Sequence, residues 1–278
     1  MKTGMACCAV VLAGIVLGGQ AAAQAPVPTV TINASPTAVS VNATGPLPAG
    51  PTRFDLVGPA DGEDVAVYIA LLVPGVTVDQ VARSLADADR TGSEAVLGLV
   101  SIQASATISG RDTHRALTFN VKPGLTYVVI AEPDTEGGDG KVKPRAFTSF
   151  TSSSAANGAT APAADATVRF QGLRFKGSKT LPRQGAISFE NRDGAGHFAL
   201  AFPLRKGTSR KRLGRTLKGD VPFGKVVNGA PYMAQNVISG GDTANVQEVS
   251  FARKGRFGLV CFVDRHDQLG MYRIVKVK

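Results

Sequence analysis

Gly255-Arg-Phe-Gly-Leu-Val-Cys-Phe-Val-Asp-Arg-His-Asp-Gln-Leu-Gly-Met271, close to the end of a 278-residue chain, is the stretch on which the fold turns. Phe257 to Val263 reads as a strand, with Phe257, Leu259, Val260 and Cys261 apolar enough to be buried, and it empties into a short polar loop. The same plan occurs once before. Leu117–Val121, Pro123-Gly124 and Tyr127–Ala131 are echoed by Val246–Phe251, Lys254-Gly255 and Phe257–Val263, in the same order and at similar spacing. Upstream of these, Val65–Leu72 and Leu72-Val-Pro-Gly75 are echoed by His197–Phe202 and Leu204-Arg-Lys-Gly207. The match in order and spacing predicts a duplicated unit.

Working outward, each copy reads as strands joined by turns. Val30–Ile32, Ala38–Asn42, Phe54–Val57, Val65–Leu72 and Val96–Ile102 precede the Leu117 and Tyr127 strands in the first copy; Val168–Phe175 and Ala186–Asn191 open the second. Val78, Val81 and Leu85 recur at helical spacing from Thr77 to about Asp87, and Leu213 and Leu217 mark a second short helix. With 32 Gly and 16 Pro and few long helical patterns, the chain is expected to be all-β, in two tandem domains each carrying one short helix. Residues 151–165, Thr-Ser-Ser-Ser-Ala-Ala-Asn-Gly-Ala-Thr-Ala-Pro-Ala-Ala-Asp, are hydrophilic and of low complexity, and read as the linker between domains at 24–150 and 166–278.

Residues 1–23 read as a secretory signal peptide, with Lys2, an apolar run Ala9–Leu17 and small residues Ala21 to Ala23 before the expected cut. The location implied is secreted or periplasmic, and no transmembrane segment is expected in the mature chain. Cys7 and Cys8 leave with the leader. Cys261 is then the single thiol, which excludes a disulfide framework and leaves either an inert core cysteine or a metal-bound one.

The loop after that cysteine supplies a thiol, an imidazole and a thioether as Cys261-x4-His266-x4-Met271, and a second imidazole, His197, follows a predicted strand and Gly-rich turn at Ile187–Gly196. Two imidazoles and a thiolate near one plane, with a weak axial thioether, suit copper in both oxidation states, because sulfur favours Cu(I) and nitrogen serves Cu(II). In the duplicated alignment His197 falls opposite Val65 and Cys261 opposite Ala131 or Ile130, so ligands occur only in the second copy. His114 has no partner in sequence and reads as a solvated loop residue.

In Asn191…His197 and Gly255-x-Phe-x-Leu-Val-Cys261-x4-His266-x4-Met271 the second half resembles the cupredoxins, and the first half resembles them more weakly. That resemblance implies two Greek-key β-sandwiches, one type 1 copper, His197, Cys261 and His266 as equatorial ligands, Met271 as the axial one, and one-electron transfer without catalysis. No Ser/His/Asp set or paired carboxylates stand out, and three histidines are too few for multicopper oxidase chemistry. A metal-free binding or structural module at the cell envelope is the alternative.

Charge is divided unevenly. Residues 24–160 hold 9 Lys+Arg against 13 Asp+Glu, whereas residues 161–278 hold 21 against 8. The strongest run, Arg205 to Lys218, suits an acidic redox partner or an anionic envelope surface; in an exported protein nucleic acid is not expected. Asp79, Asp87, Asp89 and Glu94 offer an internal partner for the same run.

Overall fold

The computed structural model describes residues 25–59, 64–91, 95–109, 114–134 and 142–278, and the segment expected to be a leader, residues 1–23, lies outside these. The first half contains β1 (Thr29–Ala34), β2 (Val39–Asn42), β3 (Leu47–Val57), β4 (Val65–Leu72), α1 (Val78–Thr91), β5 (Val100–Ile108), β6 (His114–Val121), β7 (Thr126–Pro133) and β8 (Ala146–Ala156). The second contains β9 (Ala166–Phe170), β10 (Phe175–Gly177), β11 (Thr180–Leu181), β12 (Gln184–Asn191), β13 (His197–Pro203), α2 (Arg210–Leu217), β14 (Tyr232–Ile238), β15 (Thr243–Ser250), β16 (Gly255–Val260) and β17 (Tyr272–Val277).

Each half is a β-sandwich with Greek-key pairing, β3 beside β6 and β4 beside β7 in the first, β12 beside β15 and β13 beside β16 in the second. Alternation along the strands fills the space between the sheets. In β1 and β15 every second residue is buried. One core gathers Phe54, Phe119, Tyr127 and Phe150 as stacked and tilted rings; the other gathers Phe170, Phe175 and Phe189. Outside the sandwich core, each helix covers one sheet with its own smaller apolar cluster, built on Val81 in the first half and Leu213 in the second.

The halves are joined by more than the chain. β6 and β15 pair antiparallel at Thr118–Val246 and Leu117–Gln247, so one twelve-stranded sheet runs through both. Beside this pair, β5 meets β14 across a polar seam. Ser105 Oγ donates to the Val237 carbonyl, Gln247 Nε2 to the Ser105 carbonyl at 2.7 Å, and Ile102 N–H to Ser239 Oγ at 2.8 Å. Ser105, Gln235 and Gln247 are buried there, which is stable only because their polar groups are matched.

Several sequence expectations change. The stretch expected to link the halves is a strand up to Ala156: Thr151 pairs with Thr126, and Ser152 is buried with its Oγ donating to the Lys122 carbonyl at 2.6 Å. Small hydroxyl residues fit a ladder as readily as a linker, and only 157–165 connects. The strand expected at 168–175 is two, broken at Gly172 and Leu173, both with positive φ (62° and 51°). Helix α1 runs on to Thr91, and residues 95–98 form a 3-10 turn before β5. The strand expected to reach Val263 stops at Val260. His114 begins β6 opposite Val57, with its side chain exposed. The acidic residues of α1 do not meet the basic run: Asp87 pairs with Arg90, and Asp89 with Arg145. Glu94 lies outside the described residues.

Candidate metal centre

The site forms at one end of the second sandwich, where β13 begins and β16 ends. These strands are antiparallel neighbours, Leu200 opposite Val260, so the first residue of one and the loop leaving the other are adjacent. His197 Nδ1 and His266 Nδ1 each lie 3.8 Å from Cys261 Sγ. One ligand atom from each of the three residues falls within 4.8 Å of the others, and all three side chains are buried. The imidazole rings are 4.9 Å apart.

His197 is held from behind by the turn that precedes it. Asn191, fully buried, donates Nδ2 to the carbonyls of Ala195 (2.8 Å) and Ile238 (3.1 Å), while its Oδ1 accepts from Asp193 N–H (3.0 Å). Gly240 passes so close to the backbone of Asp193 and Gly194 that any Cβ there would collide. Asp193 Oδ2 then accepts from His197 Nε2 at 2.9 Å. A carboxylate only accepts, so the proton sits on Nε2 and the Nδ1 lone pair is left facing the thiol. The ladder to β14 is irregular between His197 and Leu200, as expected where a strand re-aims a side chain.

Asp193 is itself anchored. Burial works against its ionisation, but the N–H groups of Gly172 and Leu173, together with His197, outweigh that and hold the carboxyl below its ordinary range. The turn that broke the expected 168–175 strand therefore has a function at the site. Neither Asp193 nor this turn was assigned a role from sequence, although a carboxylate four residues before His197 was a visible signal.

The other donors come from one closed loop. Asp264 and Arg265 both adopt positive φ (43° and 60°), uncommon for residues with side chains and costing on the order of 1 kcal/mol or more. The loop closes where Met271 N–H donates to the His266 carbonyl (2.8 Å) and Cys261 N–H to the Met271 carbonyl (3.2 Å). Met271 is thereby fixed beside Cys261, fully buried in the same core.

Burial lowers the pKa of His197 against the opposing pull of Asp193, which keeps the imidazole neutral, the form that ligates. Burial also raises the Cys261 thiol, opposed by the backbone N–H groups of Phe198 and Val263 that face the sulfur. Such a thiol keeps its proton until a cation displaces it. An ion bound at ~2.0–2.3 Å from three donors in one plane requires them about 3.5–4 Å apart. The two separations from sulfur, 3.8 Å each, meet that requirement, and the imidazole nitrogens lie within 4.8 Å of each other.

No family model matches the chain, and no curated protein sequence matches it significantly. Solved structures do overlap with it. Auracyanin B shares 15% identity over 43% of this chain and 93% of its own, with a TM-score of 0.27. Auracyanin A, a "blue" copper protein from the green thermophilic photosynthetic bacterium Chloroflexus aurantiacus, shares 16% over 40% and 96%, with a TM-score of 0.26. The copper nitrite reductase of Nitrosomonas europaea shares 11% over 91% and 94%, with a TM-score of 0.25. These overlaps thus include enzymes as well as the auracyanins. The TM-scores are too low to carry a functional reading, which rests on the donor geometry.

Proposed function

We propose that the protein is an exported one-electron carrier that binds a single copper ion in its second sandwich. The observation that carries this reading is the convergence of two imidazole Nδ1 atoms and one thiol in a buried pocket, at separations an ion can bridge. His197, Cys261 and His266 would hold the metal and Met271 would supply a weak thioether, the donor set that suits copper in both oxidation states. Bound there, copper supplies a reversible one-electron couple. The chain's own part is to hold the donors. Asp193 fixes the His197 tautomer, the Met271 carbonyl ties down the cysteine, and the buried pocket limits water.

The carrier reading is favoured over catalysis by the histidine count. Of three, two stand at the cysteine and His114 lies at the start of β6, so no further imidazole cluster is available to bind and reduce a substrate. Export is supported by the leader-like sequence of residues 1–23. Among the described residues no helix is long and apolar enough to cross a membrane.

The test is direct. Adding Cu(II) to the purified chain is expected to give one equivalent of bound copper with intense blue thiolate-to-metal absorption. A colourless protein without tight stoichiometric copper would leave the metal-free envelope module as the better account.

A further inference from the structure

We propose that the outer face of the β11-β17-β16-β13-β14 sheet, where α2 lies beside a row of aromatic rings, is the docking surface for an acidic redox protein. The redox character of the partner rests on the copper reading; its acidity does not.

The charge comes first. Between Arg205 and Lys225 stand eight cations and one carboxylate, Asp220, which Arg215 approaches at 3.6 Å. The side chains of Arg210, Lys211, Arg212 and Arg215 are exposed. Three of these occupy the first turn of α2, which contains no acidic residue. Cations at a helix N-terminus oppose the helix dipole, so helix stability does not explain the placement. The carboxylates that α1 places over the other half, Asp87 and Asp89, are occupied by Arg90 and Arg145.

The platform is rigid. Ser209 caps α2 by accepting from Arg212 N–H, Leu213 is fully buried, and Gly214 lies so close on Tyr272 that a Cβ would strike its hydroxyl. Arg210 lies over the Tyr272 ring, 5.1 Å from its centroid. The charges are therefore presented from a fixed surface rather than from a loose loop.

Beside the helix runs the apolar contact. Phe262, next in the chain to Cys261, meets Phe202 edge-on at 6.1 Å, and Phe202 meets Phe223 edge-on at 4.9 Å. Phe262 and Phe223 are 38% and 41% exposed. Aromatic rings bordered by arginine and lysine are the composition of a protein interface, and a partner resting on Phe262 sits one residue from the sulfur. Both rings are held edge-to-face against the buried Phe202, a fixed apolar contact that suits a folded protein partner rather than insertion among lipid chains.

The experiment titrates the full mature chain with an acidic plant-type ferredoxin as probe and maps amide chemical shifts. Shifts are expected at Phe262, Phe223 and along α2, with affinity falling about tenfold or more from low to physiological salt. The triple variant Lys211→Glu, Arg212→Glu, Arg215→Glu should lose binding while keeping its fold and its blue spectrum. Because the titration also runs on the metal-free chain, failure to bind copper leaves the docking result readable. Unchanged affinity in the triple variant, shifts gathered instead around Leu269, an exposed apolar residue of the loop between His266 and Met271, or uptake by phosphatidylserine vesicles with none by ferredoxin would each overturn the assignment.

Discussion

The two sandwiches share a framework yet differ where it matters. In the first, Leu71 pairs with Tyr127; in the second, Pro203 pairs with Phe257, and this equivalence sets the register. Val65 then stands where His197 stands, and Ala131, not Ile130, where Cys261 stands. Ile130 pairs with Phe147 as Val260 pairs with Tyr272, so Ala146 occupies the place of Met271. All six residues are buried. An apolar end closes one sandwich and a polar, metal-competent end closes the other, from which it follows that the fold does not need the ligands. The outer faces contrast as well. Glu132, equivalent to Phe262, joins Arg145 and Asp89 in a partly buried ion triad, whereas the second half sets partly exposed rings beside exposed cations.

The sharpest break of this comparison is Cys261→Ser. It is expected to abolish the blue absorption and tight copper binding outright, while circular dichroism and the unfolding midpoint of the metal-free chain change little, because the equivalent residue in the other half is an alanine. Collapse of the fold instead would show that the two ends are not interchangeable as frameworks.

Next in size is Arg145→Met, which breaks the first half's triad. Its side chain is 8% exposed, and those of Asp89 and Glu132 are 12% and 14% exposed. Leaving two partly buried carboxylates without their cation is expected to cost about 2–3 kcal/mol in urea unfolding, less than for a fully buried pair. The hydrogen bond from Arg145 holds the Asp89 pKa below its ordinary value despite burial. Its stabilisation is therefore complete above the ordinary carboxylate range and fades as pH falls through the depressed folded value. The wild-type chain should lose this increment in acid, and the variant should have none to lose; equal acid sensitivity in both would remove the triad from the account.

A smaller effect is expected at Asp193→Asn. Without a carboxylate to fix the His197 tautomer, copper affinity should fall roughly 10–100-fold, with the blue band retained at saturating metal. Competition against a chelator of known affinity measures it, and an unchanged affinity would show that the turn alone orients the ring.

Much of this contrast was legible in the sequence, because it depends on residue types and spacing. Cys261, His266 and Met271 lie within one loop, and the paired glycines Gly75 and Gly207 align His197 with Val65, while the aromatics Tyr127 and Phe257 align Cys261 with Ala131. What sequence hid was set by long-range pairing. β8, β14 and β17 carry Ser, Asn, Gln and Lys among their apolar residues, and nothing local tells such a strand from a linker or a loop. Asp193 stands in view four residues before His197, but the anchoring that fits it for its role was hidden, since Gly172 and Leu173 approach it from another turn. The seam, too, is built from residues far apart in the chain.

That seam offers the smallest and most discriminating test of how independent the two halves are. Ser105, on β5, donates to the Val237 carbonyl on β14, and its own carbonyl accepts from Gln235 and Gln247. Ser105→Ala removes the hydroxyl and leaves the backbone contacts. The net loss of one neutral hydrogen bond is expected to be about 1 kcal/mol. If the continuous sheet and the seam make one cooperative unit, the whole transition shifts, whether followed by near-ultraviolet dichroism of the tyrosines or by the blue absorption of the copper-loaded second half. If the halves unfold separately, the tyrosine dichroism, to which Tyr68 and Tyr127 of the first half and Tyr232 and Tyr272 of the second contribute, shifts only in part while the blue absorption stays, and the shared twelve-stranded sheet is a junction between two units rather than the core of one.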